Sequence, residues 1–249
     1  MVLTDKFLHG IPPKRIRTFY FFWWSATVPI LSWKLTQAPS LIDYLAQIPP
    51  MATQQDIYVH DGPASDRYLP YKFLLQKYKM QHKEFYQWFG RGTVAKYLEK
   101  HNLMDECISW LNREHPGGKL SRGNKGKTHV EVLEGFKNKL KLGLGYWDES
   151  VKFMGTSFSA VISKNITSAV HPTEDRYFNV RELLHLMGMP HDFELVNPQQ
   201  NINHLCQNVP VNTSKDWADE VVKFCKGEAK MSKYSYIKQD NIKCSISVN

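Results

Sequence analysis

A mixed α/β fold is what the sequence predicts, on three observations. Residues 18–24 form an aromatic, strand-like run, residues 71–114 carry apolar side chains at helical spacing, and residues 151–166 are β-like and precede a capped helix. The chain has 249 residues, 42% of them hydrophobic and 13% aromatic, enough for a sizeable core and unlike a disordered tail. Lys and Arg outnumber Asp and Glu by 32 to 24, a formal charge of +8. Such an excess favours a polyanionic partner, most simply nucleic acid.

Each element has a local reason. Gly10, Pro12 and Pro13 signal a turn, after which Thr18 to Trp24 read as a buried strand by aromatic content. Residues 18–33 are uncharged but too few to span a bilayer, and Pro29 interrupts them, so no membrane segment is expected. Ser40 is an N-cap candidate for a short helix from Leu41 to Leu45, stopped by Pro49 and Pro50. Phe73, Leu74, Tyr78, Phe85 and Trp88 make an apolar stripe broken at residues 89–92. Val94 to Leu98 and Met104 to Leu111 continue it, with Cys107, Ile108 and Leu111 recurring at helical spacing, a pattern that signals core. Residues 115–127 hold four glycines and the cations Lys119, Arg122, Lys125 and Lys127, with no acid. Glycine lets a backbone approach a phosphate chain closely and cations pair with it; a solvated loop is the competing reading. The last helix is expected from Thr213 or Ser214 to Phe224, with Asp216, Asp219 and Glu220 near its N-terminal end, and the stretch from Gly227 to be loosely held. Cys107, Cys206, Cys225 and Cys244 lack zinc or disulfide spacing, which suits reduced thiols in a cytoplasmic protein with no metal.

Three segments, in order, resemble the later motifs of the cytosine-C5 DNA methyltransferase family. Gly10-Ile11-Pro12-Pro13-Lys14-Arg15-Ile16-Arg17-Thr18-Phe19 is similar to the family's strand-entry motif, proline-glutamine followed by alternate arginines. Pro13 stands in place of the glutamine, which removes that side chain's contact. The resemblance implies that Arg15 and Arg17 face the flipped cytosine or its flanking phosphates; side chains two apart on a strand share one face. His171-Pro172 followed by Arg176 through Phe193, read as RYFNVRELLHLMGMPHDF, is the strongest match. There Asn179 and Glu182 form a capping-box pair and Gly188 with Pro190 stops the helix, so Arg181 and Glu182 are expected to organise the fold and not to do chemistry. Asn203 through Val211 resembles the closing motif, whose helix lines the S-adenosylmethionine pocket in that family. Cys206 or Gln207 takes the place of its glycine and Gln207 or Asn208 that of its asparagine, making Gln207 and Asn208 the cofactor-contact candidates.

The resemblance implies the C-terminal part of a Rossmann-like methyltransferase domain with an inserted, mixed α+β target-recognition domain. Its division would be 1–25 strand entry, 26–202 recognition domain, 203–226 closing helix and 227–249 tail. The family's cofactor loop, proline-cysteine nucleophile loop and glutamate-asparagine-valine motif precede this region, and none occurs in these 249 residues. No catalytic residue is therefore assigned. The expected function is the DNA-binding subunit of a split DNA (cytosine-5-)-methyltransferase, active only with a companion chain that carries the catalytic cysteine and most of the S-adenosylmethionine site. Double-stranded DNA and that companion are the expected partners, in a bacterial, phage or viral setting. A severed central sheet would expose the aromatic run from Phe19 to Trp24 and call for such a companion. A non-catalytic DNA-binding remnant or regulator is the alternative, and an RNA-directed relative a weaker third.

Overall fold

The computed structural model describes residues 2–3, 10–13, 18–19, 22, 24, 27–30, 36–50, 62–119, 126–144, 151–159, 161 and 166–232. Two antiparallel pairs come from short strands near the start of the chain. β1 (Val2–Leu3) pairs with β2 (Thr18–Phe19), and β3 (Pro29–Ile30) pairs with a strand at Lys230–Met231. Helix α1 (Leu41–Leu45) follows, with the Ser40 hydroxyl accepting from the Asp43 amide at 3.2 Å, as its N-cap character requires. A short α2 (Ala64–Arg67) leads into α3 (Leu69–Tyr78), α4 (His82–Phe89), β4 (Arg91–Thr93), α5 (Val94–Lys100) and α6 (Met104–Glu114). After the glycine-rich stretch come α7 (His129–Lys141), β5 (Lys152–Met154), α8 (Val180–Leu186), α9 (Pro198–Asn201), a 3-10 turn at Ile202–Cys206, α10 (Val211–Cys225) and β6 (Lys230–Met231). The architecture is mixed helix and strand with two-stranded sheets and, among the described residues, no barrel.

β5 organises the interior. It pairs with β4 in the register Gly92 opposite Phe153, and its successive side chains point to opposite faces. Phe153 enters a core built by α3 to α7, where Tyr71, Phe85 and Phe89 surround it with ring centroids 4.5 to 5.6 Å away. Met154 enters a second core with Leu41, Phe158, Phe178, Leu183 and Met187. Both side chains are fully buried, each contributing about 1.5–3 kcal/mol of burial energy. The second core also takes in Ile11 and Leu205, from either side of the 26–202 span.

The structure corrects several expectations. Phe22 and Trp24 are 89% and 101% exposed, so these two residues of the aromatic run are not buried as expected; Tyr20, Phe21 and Trp23 lie outside the described residues. The helical stripe is cut once more than its spacing suggests, at Lys79, which ends α3 in the left-handed conformation (φ 52°), and Trp88 is half-exposed instead of core. Among the described residues of the β-like 151–166 stretch, three form a strand. The last helix begins two to three residues earlier than expected, so Asp216, Asp219 and Glu220 lie beyond its first turn and gain nothing from the helix dipole. Past Gly227, Lys230 and Met231 pair with β3 and the Ser232 amide donates to the Val28 carbonyl at 2.7 Å, while residues 233–249 of the expected loose stretch lie outside the described residues.

Candidate nucleic-acid interface

The glycine-rich basic loop is pinned at its base. α6 and α7 pack side by side, and the loop between them is closed by an antiparallel bridge from Lys119 to Thr128 and a 3.0 Å bond from the His129 amide to the Gly118 carbonyl. Thr128 caps α7 reciprocally: its hydroxyl accepts from the Glu131 amide at 3.1 Å and its amide donates to the Glu131 carboxylate at 2.6 Å. Gly118 packs closely, since a Cβ there would lie 2.9 Å from a Leu69 methyl and 3.3 Å from the His115 carbonyl oxygen. Lys119 and Lys127 are exposed on either side of this closure. The Glu131 carboxylate faces them, held below its usual pKa by the Thr128 donors and then by Lys127 and Lys119. Arg122 and Lys125 lie outside the described residues, as do Arg15 and Arg17.

A buried polar network joins the strongest motif to the helical core. The Arg176 guanidinium reaches Glu182 with two bonds of 3.0 and 2.7 Å and Glu174 with two of 2.8 and 3.1 Å. Burial opposes the Arg176 charge, and those carboxylates more than offset it. Glu182 is 7% exposed and also accepts from the Asn179 amide at 2.9 Å, while Asn179 accepts from the Glu182 amide at 2.7 Å. The capping box is thus present, and it is wired to an arginine. His171 lies 3.5 Å from Glu182, and its carbonyl accepts from His82 Nε2 at 2.7 Å. A carbonyl can only accept, so His82 carries its proton on Nε2 and its Nδ1 accepts from the Tyr71 hydroxyl at 2.7 Å. Asp175 completes the network by accepting from the Ser65 amide at 3.1 Å and from its hydroxyl.

Arg181 points elsewhere. It donates to the Pro49 carbonyl at 2.7 Å and lines a cleft of about 70 Å³ with His185, His191 and Phe193. His185 stacks on Tyr44 with ring centroids 4.3 Å apart and exchanges hydrogen bonds with that residue, fixing α8 to α1. The closing segment docks on the end of α8: the Val211 amide donates to the Met187 carbonyl at 2.9 Å. Gly188 (φ 70°) lets Asn212 sit against it, since a Cβ there would fall 2.4 Å from the Asn212 side-chain oxygen. Gln207 and Asn208 are exposed where the 3-10 turn meets α10.

Of the expected site residues, the structure therefore brings Lys119 and Lys127 together, buries Glu182, and sets Arg181 apart from both. Sequence reasoning missed His82, Tyr71 and Asp175, which have no local motif, and missed α7, although Thr128 and Glu131 carry a capping-box spacing. Among the described residues no group of three His, Cys, Asp or Glu side chains is placed to hold a metal ion, and no helix is long and apolar enough to cross a membrane. Cys107 is no nucleophile: burial, aided by Glu106, pushes its thiol up to about 12. The chain matches no known family profile, no curated protein and no solved structure.

The buried histidines give the fold an acid limit. Burial lowers His82 and His171 from the usual range, and burial with the nearby His115 lowers His129 to about 4. A histidine depressed in the native state is protonated first in the unfolded chain, so stability is full above about pH 6.5 and falls as pH drops toward the native value. Each contributes a slope of up to about 1.4 kcal/mol per pH unit. Urea denaturation is expected to show at least about 2 kcal/mol less stability at pH 5 than at pH 7. A flat profile would mean these rings are not buried as neutral groups.

Proposed function

We propose that this chain is the DNA-binding, target-recognition subunit of a split DNA (cytosine-5-)-methyltransferase, within a Rossmann-like domain completed by a companion chain. The observation that carries the reading is the union of the two later motif segments: the capped α8, ended by Gly188, receives the closing segment at Met187 and Asn212. Independent surface motifs would have no reason to interlock. The charge of +8 and the exposed Lys119 and Lys127 suit a duplex DNA partner.

Division of labour follows from the chemistry. A thiolate must add to cytosine C6 before C5 can accept a methyl group, and the base must leave the duplex to be reached. Cys107 is unfit for that role, and none of the four cysteines follows a proline as in the family's nucleophile loop, so the thiolate is assigned to the companion. S-adenosylmethionine supplies the methyl group when bound; Gln207 and Asn208 would approach it from this side, with most of its site on the companion. Arg15 and Arg17 would grip the flipped base or its phosphates, and the basic loop the duplex backbone.

Methyl transfer to duplex DNA, followed with labelled S-adenosylmethionine, tests this. The chain with a companion bearing a proline-cysteine loop is expected to transfer, and the chain alone to bind DNA without transfer. Full activity from the lone chain would sink the split-enzyme reading; duplex binding with no transfer in either case would leave a DNA-binding remnant.

A further inference from the structure

Helices α3, α4 and α5 carry a line of aromatic rings that runs from the core out to the exposed Trp88 and His101. Trp88 is 48% exposed, with its ring 4.8 Å from Tyr78 and 5.8 Å from Tyr97. Tyr97 in turn stacks on the exposed His101 at 4.1 Å and 29° between planes. The hydroxyls of Tyr78 and Tyr97 share a 3.0 Å hydrogen bond, which ties α3 to α5. Underneath, Phe85 holds Trp88 at 5.5 Å and Phe89 holds Tyr97 at 5.0 Å, anchoring the line to the core. The line is fixed from below, and Trp88 and His101 are its exposed members.

Charge selects what they would meet. Between residues 79 and 101 the chain carries Lys79, Lys83, Arg91, Lys96 and Lys100 against only Glu84 and Glu99. Among the described residues, no hydrogen bond or ion pair engages the four lysine ammonium groups, while the Glu84 carboxylate is engaged in the α4 cap, accepting from the Gln81 amide at 3.3 Å. Lys100 lies one turn along α5 from Tyr97, on the same face. An aromatic cage for a cationic ligand would need acids here, and the balance is the reverse. Exposed rings at Trp88 and His101 beside ammonium groups that no described residue engages match a nucleobase and its phosphate.

We propose that Trp88 and His101, joined through Tyr97, form a stacking surface for the bases of single-stranded DNA, with Lys79 and Lys100 meeting its phosphates. It is separate from the basic loop, which is assigned to the duplex. The two claims share only a nucleic-acid partner, so one assay must read both.

That assay is fluorescence anisotropy of the full chain with a labelled 20-nucleotide oligo(dT) and, in parallel, a labelled 20-base-pair duplex. W88F keeps an aromatic face and W88L keeps apolar bulk without one. Oligo(dT) binding is expected to weaken about tenfold in W88L and less than about threefold in W88F. Duplex affinity should stay within about twofold for both. A structural role for Trp88 would be satisfied by leucine, so W88L binding oligo(dT) like the wild type overturns the proposal. Equal loss on oligo(dT) and duplex also overturns it, as does wild-type binding of oligo(rU) without oligo(dT). Duplex binding without oligo(dT) binding removes the stacking surface and leaves the recognition reading intact; loss of both arms in the wild type removes both.

Discussion

Glu182→Ala is expected to destabilise the protein by about 3–5 kcal/mol in urea denaturation, enough to lower the melting temperature by about 10 °C. The carboxylate is buried and answers three groups at once: the Arg176 guanidinium, the Asn179 amide at the head of α8, and His171. Alanine leaves a half-neutralised arginine and an uncapped helix, whereas Glu182→Gln keeps the acceptor for the Asn179 amide and should cost roughly half as much. Pairing Glu182→Ala with Arg176→Met should cost clearly less than the sum of the single changes, because the second removes the charge stranded by the first. Full additivity would show that the pair is not coupled. A loss below about 1 kcal/mol for Glu182→Ala would show that the network is not buried as described.

Replacing Lys119, Arg122, Lys125 and Lys127 together with alanine is expected to weaken duplex DNA binding about a thousandfold at 0.1 M salt. It should also lower the slope of log K against log salt by about 3–4, since every phosphate left without its cation takes away about 0.9. Glu131 facing Lys119 and Lys127 moves the expectation toward the lower end of that range. The weakening should be the same for cognate and unrelated duplexes, because phosphates carry no sequence information. An effect confined to one cognate sequence would mean that these side chains read bases.

What could be read from sequence divides along a physical line. α8 was legible with its ends, because Asn179, Glu182, Gly188 and Pro190 act within a few residues of one another. Ser40 before α1 and the Cys107, Ile108, Leu111 face of α6 were legible for the same reason. α7 had an equally local signal in Thr128 and Glu131, hidden beside the glycine-rich run that drew the loop reading. The bond from His82 to the His171 carbonyl spans 89 residues and has no local signature. Nor does the division of Phe153 and Met154 between two cores, which depends on helices packing against both faces of one short strand. The exposed Phe22 and Trp24 mark the opposite failure: composition promised burial, and the structure leaves both side chains open.

The closure at Lys119 and Thr128 separates the architecture from what it presents. Because α6 and α7 are already held together below that tie, the stretch above it can lengthen at a cost of only about 0.6 kcal/mol per doubling. Its chemistry can change without asking the helices to repack. Selection would then be free to retune the loop, substitution by substitution, on a chassis that does not notice.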